Sequence, residues 1–447
     1  MKKMIKGFKK ATQSKFVEDV FTLQFGSTLT LGINFITSIF LARLLGASQY
    51  GTYALIYSLL GLVRLFTQLG FNRLTINQVA LTSGSRDQEN LSRFYAYFAK
   101  VGLPVYTLTA LIGYGLLPEL AELMLNKPEV GLLARPMMWL VFLGGFYTLG
   151  AATIEGFRQM RRLAVLENGA ALLRAVLIIT VLIYGGGLTG VIYASVIAYL
   201  GATLLSLWLL LRLPADCRSL LPKISEVLPL VKSVKVTDYL SQGIQIGFNI
   251  GFARFLTQIP LFLIGRFAPV EVAGYYQVAN KILSVPQMVL ASIGRSLLPK
   301  LSQLYGGEKL VALKNSFWRV TGLSTLISMV VTLVFVLLIP RLLLVYGQEY
   351  LLALPLVYWL AVSVSISGLN TGIMPLLVTL KKLTTVLYLR LLFSGLILPL
   401  GFFLAANYGG KGAAAYCSVN QVIVSLVSLA YAHYVLKNHM VSVETRF

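Results

Sequence analysis

Acidic residues are scarce in this 447-residue chain: 16 Asp and Glu stand against 38 Lys and Arg, and only 12% of residues are charged. Cysteine occurs twice, at Cys217 and Cys417, and histidine twice, at His433 and His439. The two cysteines lie far apart, one in loop-like and one in helix-like sequence, and give neither a disulfide framework nor a metal-ligand spacing. The two histidines lie near the C-terminus and form no catalytic triad with anything placed elsewhere. No GxxxxGK[ST] loop is present, which argues against direct nucleotide hydrolysis. The stretch 118–135 has acids but no constellation of them suited to an enzyme. A non-enzyme without metal or cofactor is therefore expected. The N-terminal MKKMIKGFKKATQSKF has no short apolar core followed by a small-residue cleavage site, and it reads as a cytoplasmic amphipathic lead-in.

What the chain has in abundance is apolar sequence, 57% of residues. Runs such as LISMVVTLVFVLLIP (326–340) recur at the length needed to cross a hydrocarbon core, about 20 residues at about 1.5 Å each. Transmembrane strands are shorter and alternate in polarity, so the fold class is an all-α polytopic membrane protein. Twelve spans are expected: 20–42, 51–71, 94–117, 136–156, 164–184, 189–211, 239–263, 273–297, 317–340, 351–378, 384–406 and 412–436. With the N-terminus inside, 26 of the 38 Lys and Arg fall in inside segments and six in outside loops. The positive-inside rule then places both termini in the cytoplasm of a cell (inner or plasma) membrane protein. The net charge of +22 is read as basic loops facing an anionic leaflet, with no nucleic acid as partner.

The chain also repeats itself. IFLARLLGASQYGTY (39–53) returns as FLIGRFAPVEVAGYY (262–276), which pairs Arg43 with Arg266, Gly51 with Gly274 and Tyr53 with Tyr276. All three pairs share one offset in numbering, 223, close to half the chain. Gly190-Val-Ile-Tyr193-Ala-Ser195 resembles Ala413-Ala-Ala-Tyr416-Cys-Ser418 at the same offset. Arg161-Arg162-Leu163 resembles Lys381-Lys382-Leu383 at an offset of 220, and Pro118 and Pro340, offset by 222, close the third and ninth spans. A duplicated six-helix unit has an even number of crossings, so the two copies enter from the same side. The repeat is parallel, with its axis along the membrane normal and the substrate between the halves. The domains are then 1–212, an N-terminal six-helix lobe; 213–237, a cytoplasmic basic linker; and 238–447, a C-terminal lobe.

Apart from Arg295 and Arg319 at inside span ends, six cations fall within spans: Arg64, Lys100, Arg174, Arg254, Lys281 and Arg390. A charge at the bilayer centre costs roughly 2.5–3.5 kcal/mol even on the lenient insertion scale. Lys100 and Arg390, near inside ends, are read as snorkelling or locally paired. Arg174 and Arg254 lie deeper and are expected to face a wet cavity. Tyr57, Gly61, Arg64 and Gln68 share one face of the second span. At the repeat-related positions the eighth span offers Asn280, Ser284 and Gln287, with Gln277 and Lys281 beside them. The first span contributes Asn34, and the seventh Asp238, Gln242, Gln245 and Asn249 in one stripe. Small and polar residues also serve as helix contacts, which is the reading kept for the glycines. The acids Asp238, Glu155 and Glu167 are candidates for ion coupling, with local pairing or helix capping as the alternative for the two glutamates.

ARLLGASQYGTYAL…LFTQLGFNRLTINQVA (42–80) and GYYQVANKILSVPQMVLASIGRSLLPKLSQLY (274–305) resemble the half-signatures of the Wzx-type polysaccharide flippases. These form the polysaccharide transport branch of the multidrug/oligosaccharidyl-lipid/polysaccharide exporter superfamily. The resemblance implies a V-shaped molecule of two six-helix lobes. It also implies alternating access that turns a lipid-diphosphate-linked oligosaccharide, of undecaprenyl-diphosphate type, to the outer leaflet for O-antigen, lipopolysaccharide or other cell-surface polysaccharide. The partners it implies are that lipid, membrane lipids and the glycosyltransferases or polymerase of the same pathway. A cationic cavity suits a diphosphate. Arg64, Arg174, Arg254 and Lys281, with Gln68, Asn34, Gln245, Asn249, Asn280 and Gln277, are therefore the candidate binding residues for diphosphate and sugar. A drug/cation antiporter of the same superfamily, which needs lumen acids, and a non-transporting envelope-assembly scaffold are the alternatives.

Overall fold

The computed structural model describes residues 15–67, 70–240, 243, 247, 251, 255–307 and 309–444. Its first half consists of α1 Lys15–Thr67, α2 Phe71–Ser85, α3 Gln88–Tyr97, a π-helical turn Phe98–Gly102, α4 Leu103–Leu125, α5 Pro128–Ala134, α6 Met138–Gly156, α7 Met160–Ile183 and α8 Gly187–Leu211. The linker holds α9 Ala215–Arg218 and α10 Ile224–Ser233. The second half follows with α11 Ile259–Phe267, α12 Val270–Gly306, α13 Leu310–Tyr346, α14 Leu354–Thr379 and α15 Leu383–Glu444. Among the described residues, eight helical stretches are long and apolar enough to cross a membrane. Two of these stretches are each a pair of spans, because α1 breaks at Gly46 (φ 71°) and α15 at Gly409 (φ 56°), where only glycine takes the backbone without strain. With α12, and with α11 as the described end of the seventh span, the described helices are consistent with twelve crossings.

Several helices outrun their apolar spans. Pro118 and Pro340 do not end the third and ninth spans. Both lie inside helices, which continue to Leu125 and Tyr346. Residues 71–85, expected as an inside loop, form α2, and the linker contains a ten-residue helix, α10. The helices α2 and α10 are polar or amphipathic, so hydropathy alone does not find them.

The repeat persists in the backbone and corrects one sequence pairing. Arg158 and Lys381, related by the same offset of 223, both adopt φ 55°. The amide of Arg158 donates to Glu155 O, and that of Gln159 to Ile154 O. The amides of Lys381 and Lys382 donate to Val378 O and Leu377 O, the same two bonds one repeat later. Lys381 therefore pairs with Arg158 and not with Arg161; the apparent offset of 220 came from matching basic residues one turn too late.

By contacts the chain divides into two units. The first is Met1–Leu45, Ile56–Leu123 and Lys127–Phe255; the second is Gly46–Leu55, Met124–Asn126 and Leu256–Phe447. The first holds an aromatic core in which Phe71 packs edge-on against Phe98, 5.4 Å between centroids, beside Phe94, Tyr97, Tyr106 and Val234. The second has an aliphatic core around Leu301, Phe317, Leu376 and Val435. Within it, the repeat-related glycines meet. A Cβ on Gly51 would lie 2.0 Å from Val270 O, and one on Gly274 would lie 2.4 Å from Ala47 O. Ala47 and Val270 are themselves repeat-related, so the crossing is reciprocal. Close backbone approach is why both positions are glycine.

Candidate functional site

Two adjoining cavities lie within the first unit. The smaller, about 210 Å³, is lined by Asn34, Tyr57 and Arg64 of α1, Tyr147 of α6, Arg174 of α7 and Tyr199 of α8, with small residues between them. The larger, about 430 Å³, shares Arg64 and Tyr199 and extends past Tyr106 and Thr148 to Gly70, Asn72 and Arg73. Among the described residues lining them there is no Asp or Glu.

Helical periodicity puts Tyr57 and Arg64 on one face, two turns apart. Arg174 reaches that face from α7: its Nη2 donates to Tyr57 Oη at 3.1 Å, and its Cζ lies 5.3 Å from the Tyr57 ring centroid. Arg64 Cζ lies 6.0 Å from the Tyr199 ring centroid, and Tyr199 packs on Tyr147 at 5.4 Å. Each guanidinium is thus held beside an aromatic ring in partly desolvated space, where cation–π attraction contributes about 0.5–2 kcal/mol. Gly144 and Gly145 make room for the rings. A Cβ on Gly145 would come within 3.0 Å of the Tyr106 ring, and one on Gly144 within 3.7 Å of Tyr199 Oη. Tyr106 in turn bonds Thr148 through its hydroxyl. The helix break also contributes: Gly70, in the left-handed region at φ 70°, lines the larger cavity and starts α2. Such a surface offers fixed positive charge, hydroxyls and side-chain amides, a set that binds anionic oxygens and polar hydroxyl-rich groups.

Of the candidate binding residues, the structure gathers Arg64, Arg174 and Asn34. Gln68, Gln245, Asn249 and Arg254 lie outside the described residues, although Gly247 of that segment lines the larger cavity. Lys281, Asn280 and Gln277 sit on α12 in the second unit, where Asn280 is exposed and bonds Tyr276. None of these three lines either cavity. Of the acids, Asp238 is exposed and accepts the Lys235 amide at 3.0 Å, a local turn contact. Glu155 is half-buried at the end of α6 and Glu167 exposed on α7, and neither lines either of these two cavities. Tyr106, Tyr147, Tyr199 and Arg73 were not among the candidates. Tyr147 and Tyr199 fall on strongly apolar helices, and only the helix packing turns their rings inward.

The two cations near inside ends have particular partners. Lys100, in the π-helical turn, donates to Val234 O at 2.7 Å and to Lys232 O at 3.4 Å. Arg390 donates to Ser428 Oγ at 3.0 Å and to Asn370 Oδ1, and Asn370 donates to Ser425. Among the described residues, both cations are thus held by carbonyl, hydroxyl or amide oxygens and not by an acid.

A family model described as polysaccharide biosynthesis protein matches residues 16–305, more than half of the chain. A second, MatE, matches residues 247–403. No curated protein matches. Among solved structures, an inward-facing multidrug resistance MATE family transporter of the MOP superfamily is similar at TM-score 0.66 and 16% identity, over 92% of this chain and 95% of that one. A MATE in complex with MaL6 is similar at TM-score 0.62 and 14% identity, over 95% and 96%. A MOP superfamily transporter from Pyrococcus furiosus, described with a binding pocket of reverse polarity, is similar at 0.58 and 15%, over 95% of each chain. At these identities the likeness is one of fold: twelve membrane helices in two six-helix lobes.

Proposed function

The chain belongs to the polysaccharide biosynthesis protein family, and we propose that it carries a lipid-diphosphate-linked oligosaccharide from the cytoplasmic to the outer leaflet by alternating access. The observation that carries this reading is the cavity lining: Arg64 and Arg174 among tyrosines, with no acid among the described residues. The two guanidiniums donate to diphosphate oxygens, for which their planar forks are suited. Tyr57, Tyr147, Tyr199 and Asn34 meet sugar hydroxyls, and the lipid tail stays in the bilayer. Arg254 and Lys281 are part of the same proposal as further phosphate ligands, with Gln68, Gln245, Asn249, Asn280 and Gln277 as sugar ligands. O-antigen, capsular and exopolysaccharide repeat units all fit this chemistry, and pathway glycosyltransferases or the polymerase are the proposed protein partners.

Drug/cation antiport is the competing reading within this superfamily. A cavity that holds cationic drugs needs a carboxylate, and the described lining of these cavities has arginines and no carboxylate. In the flippase reading the membrane potential assists export. One charge moved across 100 mV is worth about 2.3 kcal/mol, so a diphosphate of about two negative charges gains about 4–5 kcal/mol outward when no cation travels with it. Ion coupling through Asp238, Glu155 or Glu167 is the alternative drive.

The test is complementation of a flippase-deficient strain with Arg64→Ala and Arg174→Ala, each quantified in the membrane fraction. Loss of surface polysaccharide at normal protein level is expected; full complementation by both single variants rejects the site. Flipping in proteoliposomes under a valinomycin–potassium potential then separates the drives. Rates that ignore the potential, follow a proton or sodium gradient and vanish in Asp238→Asn reject potential-driven export. Both termini are proposed to be cytoplasmic, so Ser85→Cys labelled from outside intact cells by an impermeant reagent rejects that topology.

A further inference from the structure

The linker helix α10 docks on the first unit with one face and leaves a second face bare. Val227, Leu230, Val231 and Val234 pack on the aromatic core around Phe94 and Tyr97. Its C-terminal carbonyls are tied down by Lys100, at 2.7 Å to Val234 O and 3.4 Å to Lys232 O. A cation at a helix C-terminus also matches the helix dipole. Lys100 lies in the helical stretch Gln88–Leu125, which contains an apolar window of membrane-crossing length, so this bond ties the end of α10 to a candidate membrane helix. At the helix N-terminus, Glu226 accepts the Lys223 amide at 3.1 Å and the Gln88 side chain at 3.2 Å.

The bare face reads Ile224, Leu228, Lys232 at i, i+4, i+8. Ile224 is 78% exposed and Leu228 64%, and Lys223, Lys232 and Lys235 are exposed around them. Two large aliphatic side chains in a row that ends in a lysine form the pattern of a helix lying in a lipid interface. The aliphatics enter the acyl boundary, and the lysine stem follows them while its ammonium stays with the phosphates. The linker joins spans six and seven on the side where Lys and Arg concentrate, the side of anionic lipid.

We propose that α10 is an interfacial lipid-binding element, which seats Ile224 and Leu228 in the cytoplasmic leaflet and holds anionic headgroups with Lys223, Lys232 and Lys235. This surface is distinct from the cavity, and its test needs no transport. A full-length chain with Cys217→Ser and Cys417→Ser, carrying Ile224→Cys or Leu228→Cys labelled with bimane, is placed in nanodiscs of phosphatidylglycerol and phosphatidylcholine. Ser233→Cys, exposed on the side away from that row, is the control. Spin-labelled lipid with its nitroxide near the headgroup is expected to quench positions 224 and 228 several-fold more than 233, and aqueous iodide to do the reverse. Pure phosphatidylcholine, or Lys223→Gln with Lys232→Gln and Lys235→Gln, is expected to cut the lipid quenching at least two-fold. Iodide quenching of 224 and 228 equal to that of 233 overturns the proposal in favour of a solvated face. Protection from both quenchers overturns it in favour of a protein partner or a second copy. Lipid quenching indifferent to headgroup charge overturns the anionic specificity.

Discussion

Tyr57, Arg64, Tyr147, Arg174 and Tyr199 of the first half have as repeat-related positions Asn280, Gln287, Asn370, Ile397 and Val422 of the second. The helices are duplicated and the chemistry is not. In the first half two arginines border open space beside aromatic rings. In the second, Arg390 is held by its own lobe's Asn370 and Ser428, and its counterpart in the first half is Glu167, an exposed acid. The backbone diverges at one point as well. The first half has Gly70 at φ 70° and a new helix after it, where the second half has Ile293 in the unbroken α12. A duplicated scaffold can thus keep its turns, down to matching hydrogen bonds, while one copy lines cavities with arginine and tyrosine.

The strongest way to break this contrast is to remove the arginines of each half in turn. Arg64→Ala and Arg174→Ala each delete a charged donor facing the cavity. Charge-assisted bonds of this kind are worth about 1.5–3 kcal/mol, so flipping should fall about 10- to 150-fold at unchanged protein level. Arg390→Gln should instead lower the melting temperature of the detergent-solubilised protein and leave headgroup affinity unchanged. Equal loss of affinity in Arg390→Gln would erase the difference between the halves.

The next effect concerns what the halves share. Gly51→Ala and Gly274→Ala each drive a methyl into a backbone carbonyl, and overpacking of that kind costs about 1–3 kcal/mol. Both should reduce folded protein on size-exclusion chromatography. Gly115→Ala, where nothing lies within 4 Å, should not. If only one of the pair were sensitive, the crossing would not be reciprocal.

A smaller effect sharpens the helix break. Gly70→Ala places a side chain in the left-handed region, at roughly 1–2 kcal/mol, while Ile293→Ala keeps helical geometry. Thermal unfolding of the two variants should show a loss from strain in the first and from packing in the second, and only the first should alter access of a thiol reagent to Asn72→Cys. Smallest of all is Glu89→Gln, which breaks an exposed i, i+4 pair with Arg93 at 2.8 Å. Such pairs contribute below about 1 kcal/mol, and no change in flipping is expected.

Hydropathy and loop charge determined the class, the twelve spans and the duplication from the sequence alone, because a bilayer forces long apolar helices and a tandem copy leaves its register in the chain. The face Tyr57–Arg64 was legible for the same reason: helical spacing is fixed by the backbone. Tertiary structure alone decided which cations face a cavity and which are held away from one. Lys100 and Arg390 look in sequence much like Arg64 and Arg174. They differ only in what neighbouring helices bring to them: carbonyls and amides in one case, tyrosine rings and empty volume in the other. Tyr147 and Tyr199 could not be read either, since an aromatic residue on a uniformly apolar helix carries no directional signal until packing gives one face a cavity. Sequence dictates where a helix runs; the side chains of helices far away in the chain dictate what each of its charges can bind.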